Sequence, residues 1–157
     1  MISHTETTHA LHAIKESLET AAHKTLNDMF GLPTLTHHKF DLCYPLNINY
    51  GYSCNLYLSN KKFHATLTVA VNPTDLLNLS GDYDKSMQID TLGELGNTMS
   101  GSLMEEMPFI MEYGYMEQAP PLLIEGGFCM RKTWGIQGVV WANDIKLGIG
   151  FTIWPKK

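Results

Sequence analysis

The sequence predicts an α+β fold, an antiparallel β-sheet packed against two long helices. Two segments carry apolar residues at steps of three and four, the period of a helix with one buried face. Several others alternate apolar and polar residues, the period of a half-buried strand. Their order along the chain is helix, strands, short helix, long helix, strands, which segregates the helices from a meandering sheet.

The first helix is expected over about residues 8 to 30, on the spacing of Leu11, Ile14, Leu18, Ala22, Leu26 and Met29. Thr7 or Thr8 supplies a cap, and Gly31 with Pro33 ends it. Thr34 to Lys39, with His37 and His38, reads as a polar loop, and Leu42 to Leu46 as a short apolar piece broken by Pro45. Ile48 to Leu58 and Phe63 to Val71 alternate as strands, joined by a turn at Ser59-Asn60-Lys61-Lys62. Asn72-Pro73-Thr74-Asp75 has the composition of a helix entry, followed by a short helix from Thr74 to about Leu79 and a break at Gly81-Asp82.

A second long helix is expected from about Met87 to Glu106, bounded by Pro108. After it, Ile110 to Glu117 reads as a strand and Ala119-Pro120-Pro121 as a rigid bend. Phe128 to Thr133, Gln137 to Ala142 and Ile145 to Trp154 read as closing strands, with turns at Trp134-Gly135 and Asn143-Asp144. No linker or low-complexity segment divides the chain, so residues 1–157 are read as a single domain.

Composition removes several function classes. Apolar residues make up 44% and charged residues 17%, as in a folded protein rather than a disordered one. The net charge of −5, with scattered Lys and Arg, argues against a nucleic-acid partner. No stretch approaches the roughly 20 apolar residues of a membrane helix, and the N-terminus has no apolar signal core. Cys43, Cys54 and Cys129 are odd in number and far apart, which suits reduced thiols. A cytoplasmic location without a membrane anchor is expected.

The segment Asp90-Thr-Leu-Gly-Glu94-Leu-Gly-Asn97-Thr-Met-Ser-Gly101 carries the chemistry. At about 100° per residue, Leu92, Met99 and Leu103 fall within about 40° of one another, with Leu95 beside them, as a core stripe. Asp90, Glu94, Asn97 and Gly101 fall on the opposite face within roughly 60°. Three glycines in this helix cost about 0.8–1 kcal/mol each against alanine. Gly93 and Gly101 flank the polar stripe, and close approach of another surface is the simplest reason to carry them. Gly96, nearer the apolar side, suits tight packing on the sheet.

Asp90-x-x-x-Glu94-Leu-Gly-Asn97-x-x-x-Gly101 resembles the signature of the CheC/CheX/FliY chemotaxis phosphatases, and the order of elements along most of the chain is similar. The resemblance implies an α+β fold and hydrolysis of the aspartyl-phosphate of a CheY-like receiver domain. It implies that Asn97 orients the attacking water and that Glu94 pairs with a cation of the receiver. Asp90, Gly93 and Gly101 would frame the contact, Asp90 by docking or helix capping. The Mg²⁺ would be supplied by the response regulator, the protein needing no cofactor of its own. The first helix offers Glu19, but three residues on stands Ala22, so no second Glu-x-x-Asn occurs there. That points to the CheX-like, single-motif type, whose members pair as homodimers. The alternative is a non-catalytic adaptor that binds a phosphorylated receiver or another signalling partner.

Other chemistries lack support. His9 and His12 sit three apart and His37-His38 are adjacent, but neither pair has a further ligand at a metal-site spacing, so no metal is expected. Ser100-Gly101 is no nucleophile elbow, and Gly148-Ile-Gly150 belongs to a strand rather than a phosphate loop. Trp134, Trp141 and Trp154 are read as sheet-core or dimer contacts.

Overall fold

The computed structural model describes residue 11, residues 14–126, 128–130 and 133–157, with the backbone path alone for 34–39 and 128–130. Helix α1 spans Lys15–Phe30, and its N-terminal expectations at residues 7 to 10 and at His12 lie outside the described residues. Leu18, Ala21, Ala22 and Leu26 are buried on one side. Gly31 ends the helix at φ 61°, its N–H donating to the Asn27 carbonyl, the left-handed cap that glycine adopts without steric cost.

Strands β1 (Thr34–Cys43), β2 (Leu46–Ile48), β3 (Tyr52–Ser59) and β4 (Phe63–Val71) follow. Two expectations are corrected here. The polar loop expected at 34–39 is part of β1, an edge strand paired with β8 (Gly135–Ala142). Register shifts between Leu35 and His38 and between His38 and Asp41 break its alternation, so the period-2 signal is lost where the ladder is irregular. The strand expected from Ile48 to Leu58 is two strands. Gly51, at φ 111°, turns the chain between them, and a side chain there would meet Pro73 at 3.0 Å. The expected β3–β4 turn is present: Asn60 Oδ1 accepts from the N–H groups of Lys62 and Phe63 at 2.8 and 2.9 Å.

Helix α2 spans Pro73–Ser80 with Asn72 as its N-cap, accepting from the Asp75 N–H at 2.8 Å. Asp75 in turn accepts from the Lys146 N–H at 3.1 Å, tying α2 to the start of β9 (Ile145–Pro155). Helix α3 spans Lys85–Glu105 and is capped by Asp84, which accepts from Ser86 N–H. A short helix, α4 (Met107–Tyr113), then replaces the strand expected at 110–117. Pro108 sits in its first turn, where a missing N–H costs nothing, so that proline starts a helix as well as ending one. Phe109 and Tyr113, four apart, face the core. Strands β5 (Glu117–Gln118), β6 (Leu122–Glu125) and β7 (Phe128–Met130) complete the set, and the Ala119-Pro120-Pro121 bend joins β5 to β6.

The main sheet has seven strands, ordered β1-β8-β9-β4-β3, with β5 and β6 both pairing on the outer edge of β3. All its pairings are antiparallel. One face carries Cys54, Leu56 and Leu58 of β3, Leu67 and Val69 of β4, and Leu147, Ile149 and Phe151 of β9, all buried in one core with α1 and α3. The opposite face carries a two-stranded sheet, β2-β7. Gly148 and Gly150 let it approach: side chains there would meet Tyr50 at 2.5 Å and Ile48 at 2.4 Å. The fold is therefore α+β with two long helices on an antiparallel sheet. Of the tryptophans, all half-buried, Trp134 packs against the core and is tilted against Tyr44, whereas Trp141 and Trp154 stand outside the core cluster, Trp154 tilted against His64.

Candidate functional site

Helix α3 divides as its sequence period requires. Leu92, Leu95, Met99 and Leu103 are buried against α1 and the sheet. Asp90 and Glu94 are exposed, and Asn97 and Gly101 are half-buried. Asp90 lies in the second turn, and Asp84 caps the helix, so a capping role for Asp90 is excluded. Among the described residues, no Lys, Arg or His lies within ion-pair distance of Glu94, whose carboxylate is open to solvent.

The three glycines serve different contacts. Gly96 lies directly on β3: a Cβ there would stand 2.5 Å from Cys54 Sγ and 3.0 Å from Leu56 Cδ1. It lets the site helix press against the sheet. Gly93, expected beside a bare polar stripe, is buried, with Leu123 of β6 at 3.8 Å from an added Cβ. The reason is strand pairing. Leu123 opposes Cys54 across the β3–β6 ladder, so both point towards α3, and Leu123 covers Gly93. Gly101 has open space where a side chain would go. Gly101→Ala is therefore expected to raise stability by up to about 1 kcal/mol through helix propensity. A thermal melt checks this, a lowered melting temperature being the contrary result.

Sequence reasoning missed the strands that flank this helix face. Gln118 of β5 opposes Leu58 of β3, which puts its side chain on the helix side. Its Nε2 donates to Asn97 Oδ1 at 2.7 Å. One turn earlier along α3, Ile89, Leu92 and Leu123 line a small cleft of about 180 Å³ with Tyr52 and Glu125. Glu125 pairs with Lys85 at 3.0 Å, and this raises the Lys85 pKa above its ordinary value. Burial pushes the thiol of Cys54, beneath Gly96, up to about 12, and that of Cys43 up to about 11. Neither is a thiolate nucleophile at neutral pH. Among the described residues, no group of three or more His, Cys, Asp or Glu side chains converges as a metal site, and no helix is long and apolar enough to cross a membrane.

The outer face of α3 thus carries two exposed carboxylates, Asp90 and Glu94, and one carboxamide held by Gln118, beside a seven-stranded antiparallel sheet. The fold is that of the CheX and CheC-like chemotaxis proteins. CheX from Desulfovibrio desulfuricans matches with a TM-score of 0.74 at 18% identity, over 90% of this chain and 99% of that one. CheX from Vibrio vulnificus matches at 0.71 and 13% identity, over 88% and 97%. The complex of CheX with CheY, BeF3 and Mg²⁺ from Borrelia burgdorferi matches at 0.65 and 18%, over 88% and 96%. No family model matches the sequence, and no curated protein does.

Proposed function

We propose that this chain, acting as one domain over residues 1–157, is a CheX-type phosphatase that hydrolyses the aspartyl-phosphate of a CheY-like receiver. The observation that carries the reading is the outward presentation of Glu94 and Asn97, one turn apart on α3, in a fold shared with CheX. A structure of that fold holding CheY supports the choice of partner.

Phosphoryl transfer asks mainly for positioning and charge compensation. The receiver brings its own phospho-aspartate and Mg²⁺, so the phosphatase has to add an in-line water. A carboxamide suits the task, because its oxygen accepts from the water and its NH₂ donates without adding charge near the phosphoryl oxygens. Asn97 takes this role. Glu94, without an ion-pair partner among the described residues, pairs with a cation of the receiver and fixes the docking angle. Asp90 on the same face contributes to docking, and so does the space beside Gly101. A second carboxylate close to the phosphoryl group would repel it, which keeps Asp90 at the periphery. Pairing of two copies as a homodimer and action in the cytoplasm belong to the same proposal.

The test is phosphate release from a phosphorylated receiver domain with and without this protein. Faster release with the protein is the expected result. Binding of the phosphorylated receiver without faster release would replace the hydrolase by the adaptor. Glu94→Ala is expected to weaken receiver binding by roughly tenfold, the scale of one charge-assisted contact, with a smaller effect on the rate of the bound complex. Titration calorimetry reads this directly, and an unchanged affinity would remove Glu94 from docking.

A further inference from the structure

The carboxamide of Asn97 accepts a hydrogen bond from the neighbouring strand β5. We infer that Gln118 is a positioning residue that fixes the Asn97 amide in the orientation the hydrolytic water needs, an inference that rests on the proposed phosphatase activity.

Three observations converge on it. The β3–β5 register sets Gln118 opposite Leu58 and so directs its side chain at α3. Glu117 pairs with Ser59 just before it, the Ala119 N–H donates to the Tyr57 carbonyl at 2.9 Å just after it, and Pro120 and Pro121 follow with fixed φ, so the backbone carrying Gln118 is held on both sides. The contact itself, Nε2 to Oδ1, is 2.7 Å long and partly shielded from water, at the short end for an N–H···O bond.

The consequence follows from amide chemistry. The last torsion of an asparagine is broad and nearly two-fold, so a free side chain samples both faces. A carboxamide oxygen has two lone pairs. Gln118 occupies one and leaves the second, with both Nδ2 hydrogens, for a water and a phosphoryl oxygen. If Asn97 turned over, its Nδ2 would face the Nε2 of Gln118, donor against donor. With Gln118 presenting its Nε2, the bond favours one face of Asn97 before the receiver arrives, and part of the ordering cost is met in the free protein. Glu94, by contrast, has no such restraint among the described residues, as suits a group whose partner is brought by the receiver.

Two variants of the full chain separate positioning from packing. Gln118→Met keeps the length and removes the donor. Gln118→Glu keeps the shape and offers only acceptors, which turns the Asn97 amide over. Phosphate release is measured against concentration of the Mg²⁺-loaded phosphorylated receiver, and the Asn97 side-chain amide resonances are followed by NMR in the protein alone. Gln118→Met is expected to lower kcat about tenfold with KM unchanged, and to move the Asn97 resonances towards those of a free amide. Gln118→Glu is expected to lower kcat further. A kcat within about twofold of the parent in both variants, or unmoved Asn97 resonances, would overturn the inference. If the unsubstituted protein releases phosphate no faster than the receiver alone, the phosphatase reading falls first and this one with it. That outcome is recognised without any variant.

Discussion

Replacing Asn97 by alanine is expected to slow receiver dephosphorylation by on the order of 10²–10³, the loss that follows removal of one preorganised polar group in other hydrolases. The fold should survive. Asn97 is half-buried on the outer side of α3, and the core stripe of Leu92, Leu95, Met99 and Leu103 does not include it. Alanine is also the better helix former, by several tenths of a kcal/mol. The hydrogen bond lost with Gln118 joins two groups at the sheet rim, where water can replace the partner. A melting temperature close to that of the parent, with single-turnover phosphate release at the receiver's own rate, is the expected pair of results. A variant that accelerates release as the parent does would show that the water is held by some other group.

The second large effect is predicted at Gly96, and its sign is set by tertiary contact. Helix propensity alone favours substitution here, because valine is a few tenths of a kcal/mol better than glycine inside a helix. Packing opposes it. The added Cβ would stand 2.5 Å from Cys54 Sγ and 3.3 Å from Cys54 Cβ, on a side chain with no exposed surface. Leu56, also fully buried, stands at 3.0 Å. Neither neighbour can swing into solvent, so α3 has to lift from β3. Overpacking of this kind costs on the order of 3 kcal/mol. For a chain of this size that lowers the melting temperature by roughly 10 °C. Lifting α3 also separates Asn97 from Gln118, because the first moves with the helix and the second with the sheet. Gly96→Ala places the same Cβ and should show the same sign with a smaller amplitude. A Gly96→Val protein that melts within about 2 °C of the parent would mean that the helix–sheet contact is looser than these distances require.

Much of this arrangement was legible in local sequence. The core stripe of α3 and the solvent side with Asp90 and Glu94 followed from a period of 3.6, because a single buried face leaves that imprint on neighbouring residues. The helix entry at Asn72-Pro73-Thr74-Asp75, the Gly31 and Gly81 stops, and strands β4 and β9 were readable for the same reason: each is settled by residues within one or two turns. Gly96 as a packing glycine was legible from its place beside the apolar stripe.

The misread segments share a cause. Residues 110–117 are a short apolar run, which periodicity cannot assign to helix or strand. The four-residue step from Phe109 to Tyr113, with Pro108 in a first turn, was the signal that favoured helix. Residues 34–39 lost their alternation to bulges that exist only because β1 has to pair with β8, about a hundred residues later. Gly93 was placed at an open surface because the helix wheel shows which way a residue points and not what stands there.

What the sequence alone determined, then, is a helix presenting a carboxylate and a carboxamide away from the core, since that depends on the helical period and on nothing distant. What only the tertiary structure decided is the company they keep. Pairing of β5 and β6 with β3, some sixty residues apart in the chain, lays Leu123 over Gly93 and Gln118 against Asn97. No local pattern encodes that register, because it is fixed by which edge of the sheet remains unpaired when the chain returns to it.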